Sequence, residues 1–367
     1  MRLRLTLIVT ALVLSGAVVP PASVSAQSAK VTKVDMKAPT PRLPTGKPDF
    51  SGNWTRPFTG DITVTFTNAD GSSNKGESSP LPFTPWGQKQ WDNYNPVKNG
   101  DYAGSCMPFG WIRTFSPHPM QILQNNEYIT FLWEQSTMFQ LVNTEGMPHR
   151  KDWAPTWFGD SRGHWEGDAL VIDVVNLNGY AKLATIGQPM SDQAHLVMTF
   201  TRPDMGHMGF KWVLDDPKTY TRPISNERVL VLSPQVELME YACMENNLSV
   251  LLDGAITPWL EPNDAPSIVP AKWEWTQFDL TKPQKFTGVV KTSDYKRDTI
   301  ATATIDVGGK TYEVVLGPPV RLDFRNLAAE DFAPGKTITF EGVVSRQTPT
   351  LLRAQTFTKG QRTIDAR

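Results

Sequence analysis

The chain has 367 residues, 36 Lys and Arg against 37 Asp and Glu, and a formal charge of −1. That balance removes the electrostatic case for a nucleic-acid partner. Its 30 prolines, 12 tryptophans and few long helical periods point to a β-rich, loop-rich protein long enough for two domains plus tails.

Residues 1–26 read as a secretory signal peptide: Arg2 and Arg4, an apolar run from Leu5 to Val19, then Val24-Ser25-Ala26 as a small-residue cleavage site. No later run reaches membrane-spanning length, so a periplasmic or secreted protein without a membrane span is expected. Residues 27–47, rich in Pro, Lys and Thr, read as an extended linker or a surface strap. Gly52-Asn53-Trp54 opens the first folded element, and Ile62 to Thr67 alternates as a strand does. Thr84 to Tyr94 predicts a short helix, with Thr84 as cap and Pro85 in the first helical position.

From Met120 the pattern is one of repeated strands: Met120–Gln124, Tyr128–Glu134, Met138–Val142, Trp165–Val174, Leu196–Arg202, Met208–Asp215 and Val229–Ser233. Glu237 to Asn246 fits a short helix or a further strand, and 259–271 is a proline-rich break. The tail, 272–367, predicts strands at Gln284–Lys291, Thr299–Val307, Lys310–Leu316, Thr337–Ser345 and Leu351–Phe357, with a tight turn at Gly308-Gly309 and a short helix over Arg321–Asp331. Five strands with a helix between the third and fourth is the order of a small OB-like barrel. The expected fold is therefore mainly β: an antiparallel calycin-like barrel over 48–258, then an OB-like β-barrel over 272–367.

Two cysteines, Cys106 and Cys243, are either bridged or two separate buried thiols. An oxidising compartment favours the bridge. It would close a loop of about 137 residues, worth roughly 4–5 kcal/mol on chain-entropy grounds.

Gly163-His164-Trp165 and Gly52-Asn53-Trp54 resemble the Gly-x-Trp of lipocalin and calycin barrels, where the tryptophan plugs the closed end. A wider resemblance rests on an ordered set of segments. These are Cys106-Met107-Pro108-Phe109-Gly110-Trp111-Ile112-Arg113, Gly146-Met147-Pro148-His149-Arg150-Lys151-Asp152, Pro155 to Asp173, Asp215-Asp216-Pro217, and Glu240-Tyr241-Ala242-Cys243-Met244-Glu245-Asn246-Asn247. Together they look like a large group of secreted bacterial proteins of largely unassigned function. That pattern has a second histidine and a Glu-Arg pair where this chain has Pro189-Met190-Ser191 and Met198-Thr199. The replacements imply a more apolar pocket and a more apolar ligand.

His149 and His195 are the candidate general acid/base groups, since imidazole titrates near neutral pH. His149 gains from Asp152, which is placed to orient it. Asp173 shares the alternation of Trp165; if that face is interior, its carboxyl pKa rises and it joins the acid–base set. Glu134 and Arg113 complete the catalytic candidates, with Arg113 equally able to pin a loop by a salt bridge. Trp111, Trp153 and Trp157 are candidate substrate-stacking residues or core plugs, and Met190 and Met198 candidate walls of an apolar pocket. Asp160 is expected to cap a turn. No phosphate loop, nucleophile elbow, dinucleotide fingerprint or metal-ligand spacing is present, so no cofactor or metal is expected. Two functions fit: an exported, cofactor-independent hydrolase or lyase acting on a small hydrophobic compound such as a lignin-type aryl ether, or a non-catalytic carrier of an apolar ligand.

Overall fold

The computed structural model describes residues 34–96, 101, 103–104, 106–116, 118–245, 269–297 and 299–367. The signal-peptide assignment and most of the proline-rich break lie outside the described residues. Those that are described belong to one compact unit, Val34–Arg367.

The first barrel takes eleven strands: β1 (Gly52–Thr55), β2 (Phe66–Thr67), β3 (Ser73–Lys75), β4 (Met120–Gln124), β5 (Tyr128–Trp133), β6 (Met138–Asn143), β7 (Asp160–Glu166), β8 (Ala169–Val175), β9 (His195–Thr201), β10 (His207–Asp215) and β11 (Ile224–Leu232). They run in the order β6-β5-β4-β1-β11-β10-β9-β8-β7, with the β2–β3 hairpin added to β11. The sheet is antiparallel and nearly closed. Its two ends meet where the Gly146 N–H donates to the Gly163 carbonyl. A side chain at Gly163 would lie 2.9 Å from the Asn143 carbonyl oxygen, so the seam requires a glycine there.

Two short helices precede β4: α1 (Pro85–Asn93) and α2 (Gly110–Thr114). Thr84 caps α1 by accepting from the Gly87 N–H, as its sequence predicts. The last turn of α2 delivers Phe115 into the barrel. There it stacks on Phe210 at 4.2 Å and meets Phe131, Trp133 and Phe200 within 5.9 Å. Alternate residues of β4, β5, β8, β9 and β10 face the same volume, among them Ile122, Ile172, Leu196, Met198 and Trp212. The interior is a packed core. Two buried arginines hold the carbonyl end of α2. Arg228 Nη1 donates to Phe115 O at 3.0 Å and Ile112 O at 3.4 Å, and Arg56 donates to Thr114 O. Cations at a helix C-terminus satisfy its orphan carbonyls and its negative partial charge.

The second barrel is formed by β12 (Gln284–Asp294), β13 (Ala301–Val307), β14 (Lys310–Gly317), β15 (Thr337–Val344) and β16 (Leu351–Lys359), closed by parallel pairing of β14 with β16. A short β17 (Arg362–Asp365) adds to β16, and α3 (Pro319–Phe324) lies between β14 and β15. Gly308 and Gly309 both have positive φ, the conformation a two-residue hairpin turn demands.

The barrels interlock through α1 and the segment between β1 and β2. The Arg321 guanidinium lies 3.2 Å over the Trp91 ring and donates to the Trp91 carbonyl. Arg325 Nε meets Asp61 Oδ2 at 2.9 Å in a buried ion pair, and Arg353 lies 3.6 Å from Asp92. Burial works against the Asp61 charge, but Arg325 and the Thr63 donors hold its carboxyl below the usual carboxylate range.

Several sequence expectations are corrected. Trp165–Val174 is not one strand: Gly167-Asp168 forms a two-residue turn between β7 and β8. Ile62–Thr67 contributes only Phe66–Thr67 to a strand, and Glu237–Glu245 is neither helix nor strand. The helix α2 and strand β17 were not anticipated. Residues 34–47 lie along the first barrel: Arg42 pairs bidentately with Asp168, and Thr40 Oγ1 donates to Arg202 O. Cys106 and Cys243 form a disulfide with Cα atoms 5.6 Å apart. Among the described residues no helix is long and apolar enough to cross a membrane.

Truncating the plug should cost more than truncating the wall. Phe115→Ala is expected to destabilise the protein by about 3–5 kcal/mol. The exposed Leu123→Ala should change stability by under about 0.5 kcal/mol. Urea unfolding of the two variants checks both values.

Candidate functional site

In the β7–β8 hairpin Arg162 pairs with Asp173, and Gly163 with Ile172. Leu170, Ile172 and Val174 face the core, so Asp173 points outward. This corrects the expectation that Asp173 shares a face with Trp165; the interior condition on its acid–base role is not met. The turn at Gly167-Asp168 reverses the parity, and Trp165 packs inward against Phe50. On β9 the core residues are Leu196, Met198 and Phe200, which places His195 on the same outer face as Asp173. The loop after β6 then lays His149 over β7 and β8.

These placements build a continuous chain of four titratable groups. Asp160 Oδ2 lies 3.1 Å from His149 Nδ1; His149 Nε2 lies 3.2 Å from Asp173 Oδ1; and the same Oδ1 lies 2.8 Å from His195 Nε2. Exposure rises along the chain. The Asp160 side chain is fully buried, His149 and Asp173 are about one-third exposed, and His195 is 47 % exposed. Both nitrogens of His149 face carboxylate oxygens, and only a ring protonated on both donates to both.

Asp160 anchors the group. Burial opposes its charge, but the Arg150 N–H at 2.8 Å, the His149 ring, and the guanidinium groups of Arg162 and Arg150 hold its carboxyl below the usual range. The turn-cap role expected for Asp160 is therefore replaced by that of anchor. Asp152, expected to orient His149, does not do so; Asp160 and Asp173 do. The sequence signal for Asp160 is modest: a carboxylate at the first residue of a strand, eleven residues after a histidine.

The other candidates lie elsewhere. Glu134 follows β5 and accepts from the Met239 N–H at 3.0 Å. Arg113 makes a bidentate ion pair with Asp101 at 2.8 and 2.6 Å, the loop-pinning alternative. Trp111 is buried, donating to Phe158 O and Ser161 Oγ, and Met190 and Met198 are buried in the same core. Trp111 and Met190 border a cavity of only about 10 Å³, room for about one water. Met190 and Met198, expected to wall an apolar pocket, pack in the core, and Trp111 takes the core-plug alternative. Trp157 is partly buried, its ring 5.8 Å from Tyr180. Only Trp153, 41 % exposed, lies at the cluster, with the Arg150 guanidinium 3.7 Å over its ring.

A groove of about 500 Å³ opens further along the outer face, bordered by Thr199, Thr201, Gly209, Lys211, Glu227 and Lys75 among others. It contains no histidine, and Glu227 engages both lysines. The candidate site is therefore the His149–Asp173–His195 cluster. Among the described residues no group of three or more His, Cys, Asp or Glu side chains is arranged to hold a metal ion. In comparisons with known proteins, no family model and no curated sequence matches the chain.

Because its donors hold the Asp160 carboxyl below the usual carboxylate range in the folded protein, its contribution to stability is present above that range and is lost as pH falls through the lower folded pKa. Asp160→Asn should therefore destabilise the protein at neutral pH, by about 1–3 kcal/mol. The deficit should shrink as wild type is taken below about pH 4. Paired urea titrations across pH 3–7 check the sign.

Proposed function

We propose that this chain is an exported acid–base enzyme, a hydrolase or lyase, acting on a small aromatic compound at the outer face of the first barrel. The observation that carries the reading is the convergence of two imidazole Nε2 atoms on one carboxylate oxygen, Asp173 Oδ1. A carboxylate oxygen only accepts, so His195 Nε2 carries hydrogen and the neutral ring keeps its lone pair on Nδ1. Asp173 fixes that tautomer and ring orientation, as the acid does in catalytic His–Asp pairs. His195 is the most exposed member and is the group that exchanges a proton with substrate or water. In hydrolysis, Nδ1 takes a proton from the attacking water and returns it to the departing oxygen. Asp173 and His149 are positioning residues, and the buried Asp160 sets His149 in place.

The carrier alternative asks for space inside the barrel. Phe115, Phe131, Trp133, Phe200 and Phe210 occupy that volume, which favours the enzyme. The Cys106–Cys243 disulfide supports an oxidising compartment and hence export. Trp153, at the cluster, suits an aromatic substrate, and an aryl ether of the lignin type is the class we favour.

The test is turnover of a panel of aryl ethers and esters in ¹⁸O-labelled water, read by mass spectrometry. Label in the product marks hydrolysis, while conversion without label marks elimination. His195→Ala should lower kcat/KM by about 100-fold or more. Unchanged compounds throughout the panel, or full activity in the variant, would remove the acid–base assignment.

A further inference from the structure

Asp160 orders two neighbours at once. Its Oδ2 accepts from the His149 ring and from the Arg150 backbone N–H, while its Oδ1 lies 3.4 Å from Arg150 Nε. The Arg150 guanidinium also lies over the Trp153 ring at 3.7 Å. Its Nε edge and one face are thus committed. Among the described residues no hydrogen bond is donated by its two terminal nitrogens, and the side chain is 46 % exposed.

An arginine normally loses rotamer freedom when it captures an anion. Here the side chain is already ordered by an ion pair and an aromatic stack, while its parallel N–H donors remain unspent. A planar fork of that kind matches a carboxylate in a bidentate arrangement. Trp153 supplies exposed apolar surface beside it. Asp160 joins Arg150 to His149, and His149 in turn meets the Asp173–His195 pair.

We infer that Arg150 and Trp153 form the substrate anchor of this site, and that the site takes aromatic carboxylates. The inference rests on the acid–base function proposed above. The anion is held by the Arg150 fork, the aromatic ring lies against Trp153, and the bond to be broken extends toward His195. Arg150 acts on binding and His195 on chemistry, so the two can be separated experimentally.

Calorimetric titration of the full chain with 4-hydroxybenzoate and with the uncharged 4-hydroxybenzamide tests this. The acid should bind, and the amide should bind about tenfold more weakly or worse. Arg150→Gln should weaken the acid by about tenfold or more and leave the amide within about twofold. Trp153→Ala, which leaves the Asp160 ion pair in place, should weaken both ligands. His195→Ala should bind the acid like wild type. Circular dichroism establishes that each variant is folded. Equal binding of acid and amide, no effect of Arg150→Gln in a folded variant, or no binding of the acid at millimolar concentration overturns the inference. If the acid fails to bind while an uncharged aryl ether is still turned over through His195, the substrate class falls and the acid–base function stands. If the acid binds as expected but His195→Ala leaves turnover intact, the anchor stands and the assignment of His195 falls.

Discussion

The structure depends on how the first barrel is filled. A sheet that closes on itself leaves an interior that must hold side chains, ligand or water. Here α2 and the residue after it supply the filling. Phe115 stacks on Phe210 in a ring cluster with Phe131, Trp133 and Phe200. Such a short helix has little stability of its own. Its carbonyl end is held by Arg228 and Arg56, whose charges are tolerated inside the barrel because they meet the negative end of the helix. Plug and arginines are joined directly, since Arg228 donates to the carbonyl of Phe115 itself.

A filled interior moves any chemistry to the outside wall. On β7, β8 and β9 the outward residues alternate with the core residues, so the packed face fixes where the polar side chains stand. Asp173 and His195 are set by strand register, which is rigid. His149 comes from a loop and is fixed instead by two carboxylates. This division, strands for Asp173 and His195 and a loop for His149, places the exposed end of the cluster on the more rigid elements.

Much of the fold was legible because strand alternation is a local signal. Met120–Gln124 and the Gly308-Gly309 turn could be read residue by residue. The errors have a common physical origin in turns. Two residues, Gly167 and Asp168, interrupt the ladder between Trp165 and Leu170, and that interruption inverts which face every later residue of β8 occupies. Unbroken alternation therefore puts Asp173 on the face of Trp165, whereas the two stand on opposite faces. The cluster itself joins residues 11, 24 and 22 positions apart. Spacing of that kind has meaning only once register is known, which is why Asp160 read as a turn cap and Asp152 as the partner of His149. Trp111, Met190 and Met198 show the converse ambiguity: large apolar side chains that would suit a ligand wall suit a core equally well.

The contacts between the barrels carry a consequence for the integrity of the chain. Trp91 under Arg321, Asp61 with Arg325 and Asp92 with Arg353 join the barrels by side chains that are not part of the sequence between Glu245 and Val269. Cleavage of the backbone within that crossing would leave these contacts intact. The connecting peptide acts chiefly by raising the effective concentration of one barrel beside the other. A nicked protein would thus retain its assembly as a non-covalent pair of fragments until dilution or denaturant overcame the arginine contacts.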